Sequence, residues 1–87
     1  MVIGFVLIGS KPGSERDVYD AIAKIDGITD AHQLFGEYDI LAKVRIDSSD
    51  IQDLSKVVEN VRKVPGVLDT KTLPGIPGYV TRIVEIK

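Results

Sequence analysis

Apolar and polar positions along this chain run through the same pattern twice. Residues 2–9 are nearly all apolar, with Ile3, Phe5 and Leu7 pointing one way and Val2, Val6 and Ile8 the other. That predicts a first strand covered on both faces. Lys11-Pro12-Gly13 is a turn, and Val18, Ala21, Ile22 and Ile25 then recur at helical spacing. Ser14 is the expected helix cap, with Asp17 in a box-like position three residues on, and Gly27 ends the helical stretch. Residues 28–35 read as a second strand, made more polar by Asp30, His32 and Gln33 and therefore placed at a sheet edge.

After the hairpin Gly36-Glu37-Tyr38-Asp39, a third strand over 40–46 alternates Ile40, Ala42, Val44 and Ile46 with Leu41, Lys43 and Arg45. Asp47-Ser48-Ser49 opens a second helix with Ser49 as the expected cap. Its stripe is Ile51, Leu54, Val58 and Val61, widened by Val57 and Val64. Pro65-Gly66 stops it, and residues 67–73 form a fourth strand. Two prolines interrupt Leu73-Pro74-Gly75-Ile76-Pro77-Gly78. Val80, Val84 and Ile86 are in phase over 79–86 and predict a fifth strand, free to pair with another subunit or to extend an edge.

The two rounds are copies. Ile25-Asp26-Gly27-Ile28-Thr29-Asp30 is echoed 39 positions on by Val64-Pro65-Gly66-Val67-Leu68-Asp69, and the same offset carries Ser10 onto Ser49, Val18 onto Val57 and Ile22 onto Val61. Each copy is strand, helix, glycine turn, strand, which is a split βαβ doubled into βαββαβ. The expected fold is therefore α+β and ferredoxin-like with an extra C-terminal strand, in one domain over residues 1–87.

Such a sheet carries both helices on one face. With the first strand apolar on both sides, Val2, Val6, Ile8 and Leu41 are expected on the bare face. Leaving them in water forgoes roughly 1.5–3 kcal/mol each, against a total stability of about 5–15 kcal/mol. A second copy is the simplest cover, so a symmetric homodimer packed sheet to sheet, a dimeric α+β barrel, is expected.

Composition narrows the chemistry. The chain has 87 residues, 44% hydrophobic, and a net charge of −2. Disorder is excluded by that apolar content. An acidic chain with scattered lysines and arginines argues against direct nucleic-acid binding. There is no cysteine, one histidine and no tryptophan, so disulfides and thiolate metal sites are excluded. The apolar start is too short to span a bilayer and has no basic leader, which makes a cytoplasmic protein without membrane partners the expectation. His32 and Asp30 alternate on one strand and share a face, but a metal site needs three or four ligands. With no nucleophile motif or phosphate loop in view, no enzyme activity and no cofactor are expected. Tyr19 and Tyr79 read as rim residues.

The hairpin is the candidate site. As a bare turn, Gly36 supplies a positive φ and Asp39 a cap. As a site, Asp39 offers a carboxylate to an ammonium, and glycine lets backbone donors approach a ligand carboxylate.

The run Leu34-Phe35-Gly36-Glu37-Tyr38-Asp39-Ile40-Leu41-Ala42-Lys43-Val44, with Val64-Pro65-Gly66-Val67 and Asp69-Thr70-Lys71-Thr72, resembles the effector (RAM) domain of the leucine-responsive regulatory protein/AsnC (Lrp/AsnC) family. The shared features are G-x-Y-D at the hairpin, the apolar-P-G-V turn and the T-x-T strand, in matching order over most of the chain. The resemblance implies a domain that dimerises through its sheets and assembles into higher oligomers such as octamers or decamers. It implies amino acids bound in clefts between dimers, by Gly36, Tyr38 and Asp39 with Thr70, Thr72 and Leu73 nearby. Leu73-Pro74-Gly75 departs from the family's usual continuation after T-x-T. The first strand starts at Val2, so no helix-turn-helix precedes it, and the resemblance then implies a stand-alone effector domain that modulates full-length family regulators.

Three rivals stand beside this reading. A small dimeric α+β barrel enzyme shares the fold. An ACT-like amino-acid sensor shares the strand order and would bind at residues 9–13. A purely structural oligomer would bind nothing.

Overall fold

The structure, a computed structural model, describes residues 2–47 and 50–75. Its elements are β1 (Val2–Ser10), α1 (Glu15–Ile22), β2 (Ile28–Gln33), β3 (Ile40–Ile46), α2 (Ile51–Arg62) and β4 (Val67–Pro74). The sheet order is β2-β3-β1-β4, antiparallel throughout. This is the ferredoxin-like α+β arrangement expected from the repeat, with β2 at an edge. The expected fifth strand lies outside the described residues. β2 stops two residues short of expectation, at Gln33, and Leu34 and Phe35 belong to the hairpin.

Both helices cover one face of the sheet. Val18 and Ile22 of α1 and Leu54, Val57, Val58 and Val61 of α2 close over Val2, Val6 and Ile8 of β1 and Ile40, Ala42 and Val44 of β3. The expectation that Val2, Val6 and Ile8 lie with Leu41 on the bare face is wrong: these three are core. Leu7 pairs with Leu41, Phe5 with Lys43 and Ile3 with Arg45, so the apolar patch on the open face is Ile3, Phe5, Leu7 and Leu41, all half-buried. Gly4 explains the choice of face. A Cβ there would lie 3.0 Å from Leu54 Cδ1, so the helix side needs a hydrogen at this position of β1. Four large apolar side chains still occupy the open face, but each is already half-buried, so covering the face gains only part of the full-burial value per side chain.

The duplication is visible in detail. Gly27 and Gly66 share a φ of 97°, a region that disfavours any side chain. A Cβ on Gly27 would fall 2.9 Å from Val57 Cγ2, and one on Gly66 2.8 Å from Val18 Cγ2. Each copy's turn glycine is thus capped by the other copy's equivalent valine. The register shifts also match: one falls between Ile28 and Asp30 against β3, the other where Val67 and Asp69 pair with Ser10 and Gly9. The bulged residues, Thr29 and Leu68, are 39 apart.

The helix caps differ from expectation. Ser14 makes no side-chain cap bond; instead Glu15 Oε2 accepts from Gly13 N at 3.0 Å. At α2 the cap is Asp50, whose Oδ1 accepts from Gln52 N at 2.9 Å, while Ser49 lies outside the described residues. Tyr19 is a rim residue as expected, with its hydroxyl donating to Ala31 O at 3.1 Å. Among the described residues no helix is long and apolar enough to cross a membrane.

Candidate functional site

The hairpin between β2 and β3 is anchored by Asp39. Its Oδ2 accepts from Ser10 N at 2.7 Å and from Ser10 Oγ at 3.0 Å. Its backbone N–H donates to Ile8 O at 2.9 Å, and its carbonyl accepts from Leu34 N at 2.7 Å. Ser10 is the one buried polar residue of the described chain, and the Asp39 carboxylate is what satisfies it. Asp39 Oδ1 takes no part in these bonds and remains available to a cation.

Between the two anchored ends the backbone is open. Among the described residues, none of the N–H groups of Phe35, Gly36, Glu37 and Tyr38 donates a hydrogen bond within the chain. Gly36 has φ +121°, with nothing within 4 Å of where its Cβ would stand. Four successive donors beside a fixed carboxylate suit a small molecule carrying both charges.

The turn between β1 and α1, where an ACT-like sensor would hold its ligand, has the opposite character. Ser10 N is bound to Asp39, Lys11 N to Gly66 O, Gly13 N to Glu15 and Ser14 N to Lys11 O, and Pro12 has no donor. Every backbone donor of this turn is already used.

The six residues singled out by resemblance do not converge within one chain. Gly36, Tyr38 and Asp39 lie at the β2–β3 end, and Thr70, Thr72 and Leu73 lie on β4, the opposite edge of the sheet. Thr70 and Thr72 pair with Ile8 and Val6 and so face the helices, whereas Leu73 pairs with Phe5 on the open face. Thr70 Oγ1 accepts from Arg62 Nε at 3.0 Å, a partner the sequence reading did not single out. Its signal was the Arg62–Thr70 spacing of eight across a tight turn.

Three surface hollows lie around these groups. One of about 270 Å³ is lined by Glu15, Gln33, Leu34, Phe35 and Asp39. One of about 340 Å³ lies beside Arg62 and the start of β4. The third, about 270 Å³, is the groove between α2 and β4. His32 and Asp30 do share the open face, opposite Leu41 and Lys43, and both are exposed. Among the described residues no three His, Cys, Asp or Glu side chains are grouped to hold a metal.

A doubled split-βαβ sheet with an open, half-apolar face and a hairpin of unbonded donors defines a ferredoxin-like α+β domain. Residues 3–80 match the Lrp/AsnC ligand binding domain, and the chain belongs to that family. An uncharacterized HTH-type transcriptional regulator of Pyrococcus furiosus is 40% identical over 73 residues, covering 79% of this chain and 47% of the relative. The chain therefore spans about half the length of the curated relatives it matches. Among solved structures, FFRP-DM1 superposes with a TM-score of 0.77 at 32% identity, over 87% of this chain and 100% of that one. A feast or famine regulatory protein from M. tuberculosis, solved in complex with L-methionine, shares the fold with a TM-score of 0.77 at 18% identity, over 100% of this chain and 58% of that one.

Proposed function

We propose that this domain binds an α-amino acid, or a similar small zwitterion, in a cleft between copies of itself. The observation that carries the proposal is the run of unbonded N–H groups at 35–38 ending on the Ser10-anchored carboxylate of Asp39. The ligand carboxylate lies on those donors, close to Gly36, and its ammonium meets Asp39 Oδ1. Tyr38, half-buried, flanks the ligand. Thr70, Thr72 and Leu73 come from the β4 edge of a neighbouring copy, because the β4 edge of the same chain is two strands away. The L-methionine held by the M. tuberculosis relative supports this ligand class.

In this reading the domain dimerises across the open face at Ile3, Phe5, Leu7 and Leu41 and assembles further into octamers or decamers. Ligand at the seams shifts the assembly equilibrium, since binding only one state favours that state. In the cytoplasm this domain acts on transcription together with full-length family regulators, without itself touching DNA, and it catalyses no reaction. The kinship with regulators supports this role.

Calorimetry and thermal-shift titration with the twenty common amino acids test the proposal, with oligomer mass followed in parallel. A true ligand at about 100 times its Kd stabilises by roughly 2.7 kcal/mol. A flat response to all twenty defeats the ligand reading.

A further inference from the structure

We propose that Phe35 of one copy seats in the groove between α2 and β4 of the next, joining copies head to tail. This deepens the assembly just described and rests on that reading for the existence of oligomers beyond the dimer.

The molecule presents both a knob and a groove. Phe35 stands at the hairpin tip at 107% exposure, with exposed Leu34 beside it. An aromatic ring presented on a rigidly anchored turn is the kind of side chain that dominates interfaces once a pocket receives it. The groove holds about 270 Å³, enough for a phenyl ring; its α2 wall runs from Ile51 through Leu54, Ser55, Val58 and Glu59 to Arg62, and its β4 wall is Thr72 and Pro74. Ile51 is 56% exposed there, so the apolar lining is incomplete without an occupant.

The internal repeat gives this groove a twin in the first half, where Phe35 is part of the wall and so cannot be the guest. Leu54, Thr72 and Pro74 stand 39 positions after Glu15, Gln33 and Phe35, which line the hollow between α1 and the hairpin. The two hollows are the same place in the two halves. In the first half Leu34 and Phe35 of the hairpin are themselves part of the wall, beside Glu15, Gln33 and Asp39. In the second the apolar wall comes from Ile51, Leu54, Val58 and Pro74, beside polar Ser55, Glu59, Arg62 and Thr72, and an aromatic ring can pack on its apolar part.

Glu37 lies two residues from Phe35, and the groove presents Arg62 as well as Glu59, so a favourable pair forms only where Glu37 meets Arg62. Arg62 spends its Nε on Thr70 and has no partner on its terminal nitrogens among the described residues. Because the hairpin and β4 lie at opposite edges of the sheet, the contact joins unlike surfaces. Such contacts generate rings when the rotation closes. Combined with a face-to-face dimer, they give rings of dimers.

The chain has no cysteine, which permits a clean cross-linking test on the full chain. Phe35→Cys and Ser55→Cys proteins, differently tagged, are mixed under mild oxidation. Disulfides between the two variants are expected to form at least ten-fold faster than within either variant alone. Phe35→Ser and Ile51→Glu are each expected to reduce the mass by light scattering from the higher oligomer to the dimer, with the circular dichroism spectrum retained. Equal self-linking of Phe35→Cys, a Phe35→Ser protein of unchanged mass, or a wild-type protein that stops at the dimer each overturns the contact. So does a disulfide within one chain carrying Ser55→Cys and Val80→Cys, which would assign the groove to the chain's own C-terminal segment. Amino-acid binding without the cross-link removes this contact and leaves the ligand site; the cross-link without amino-acid binding keeps the contact and removes the ligand reading.

Discussion

One carboxylate oxygen of Asp39 holds Ser10 by both its N–H and its hydroxyl, at 2.7 and 3.0 Å. This tie fastens the hairpin to the central strand while leaving the carboxylate's other oxygen outward. Structure and proposed ligand chemistry therefore share one residue. Asp39→Ala is expected to lower stability by about 1.5–3 kcal/mol, the scale for a hydrogen bond to a charged group, and to abolish amino-acid binding. Ser10→Ala removes only the hydroxyl bond and is expected to retain binding with a smaller loss of stability. Urea titration and calorimetry on both variants check this. Gly9→Val is the counter-test, since loss of binding there with Asp39→Ala unaffected would favour the ACT-like site.

The turn glycines should form a graded series. Gly27→Ala and Gly66→Ala combine a φ of 97° with a valine methyl under 3 Å away, and each is expected to cost about 2–4 kcal/mol. Gly13 and Gly36 also have positive φ, but nothing lies within 4 Å of a Cβ there. Alanine at those two is expected to cost about 1 kcal/mol, from backbone strain alone. Equal losses at all four, measured by chemical denaturation, would mean that the valine contacts add nothing.

The two helix starts should respond unequally. Asp50→Ala removes the bond from Gln52 N and is expected to cost about 1 kcal/mol. Ser14→Ala removes no cap bond and is expected to change stability by less than about 0.5 kcal/mol. Paired thermal melts at one protein concentration give the comparison.

The open face should control dimerisation. Leu41 sits opposite Leu7 at the hairpin end of the apolar patch on that face, so Leu41→Lys puts a charge within the proposed contact. The expected outcome is a monomer at micromolar concentration by sedimentation, with the circular dichroism spectrum kept. A variant that remains dimeric places the dimer contact elsewhere.

The duplicated halves, the strand order and the polar edge strand were legible because each rests on periodicity or on glycine position, which are local signals. The facing of β1 was not, because a strand apolar on both sides has no phase to read. Gly4 carried the missing information: it is in phase with Val2, Val6 and Ile8, and a residue without a side chain on that face marks where a helix comes close. The cap at Ser14 failed because its φ of −106° and ψ of 4° lie outside the extended range a side-chain cap needs. For the site, the hairpin was readable as a turn with a carboxylate, but the two hydrogen bonds that Asp39 accepts from Ser10 span 29 residues and leave no local trace. The separation of Thr70, Thr72 and Leu73 from the hairpin follows from topology, which places β4 at the far edge.

The central place of β1, flanked by β3 and β4, has a consequence for biosynthesis. β1 leaves the ribosome before both of its neighbours, and its second edge stays bare until β4 follows. Until then a nascent chain displays a bare, largely apolar ribbon able to zip onto another nascent copy. Translation speed through the closing half, and chaperone capture of the opening half, should thus set how much usable protein a cell obtains.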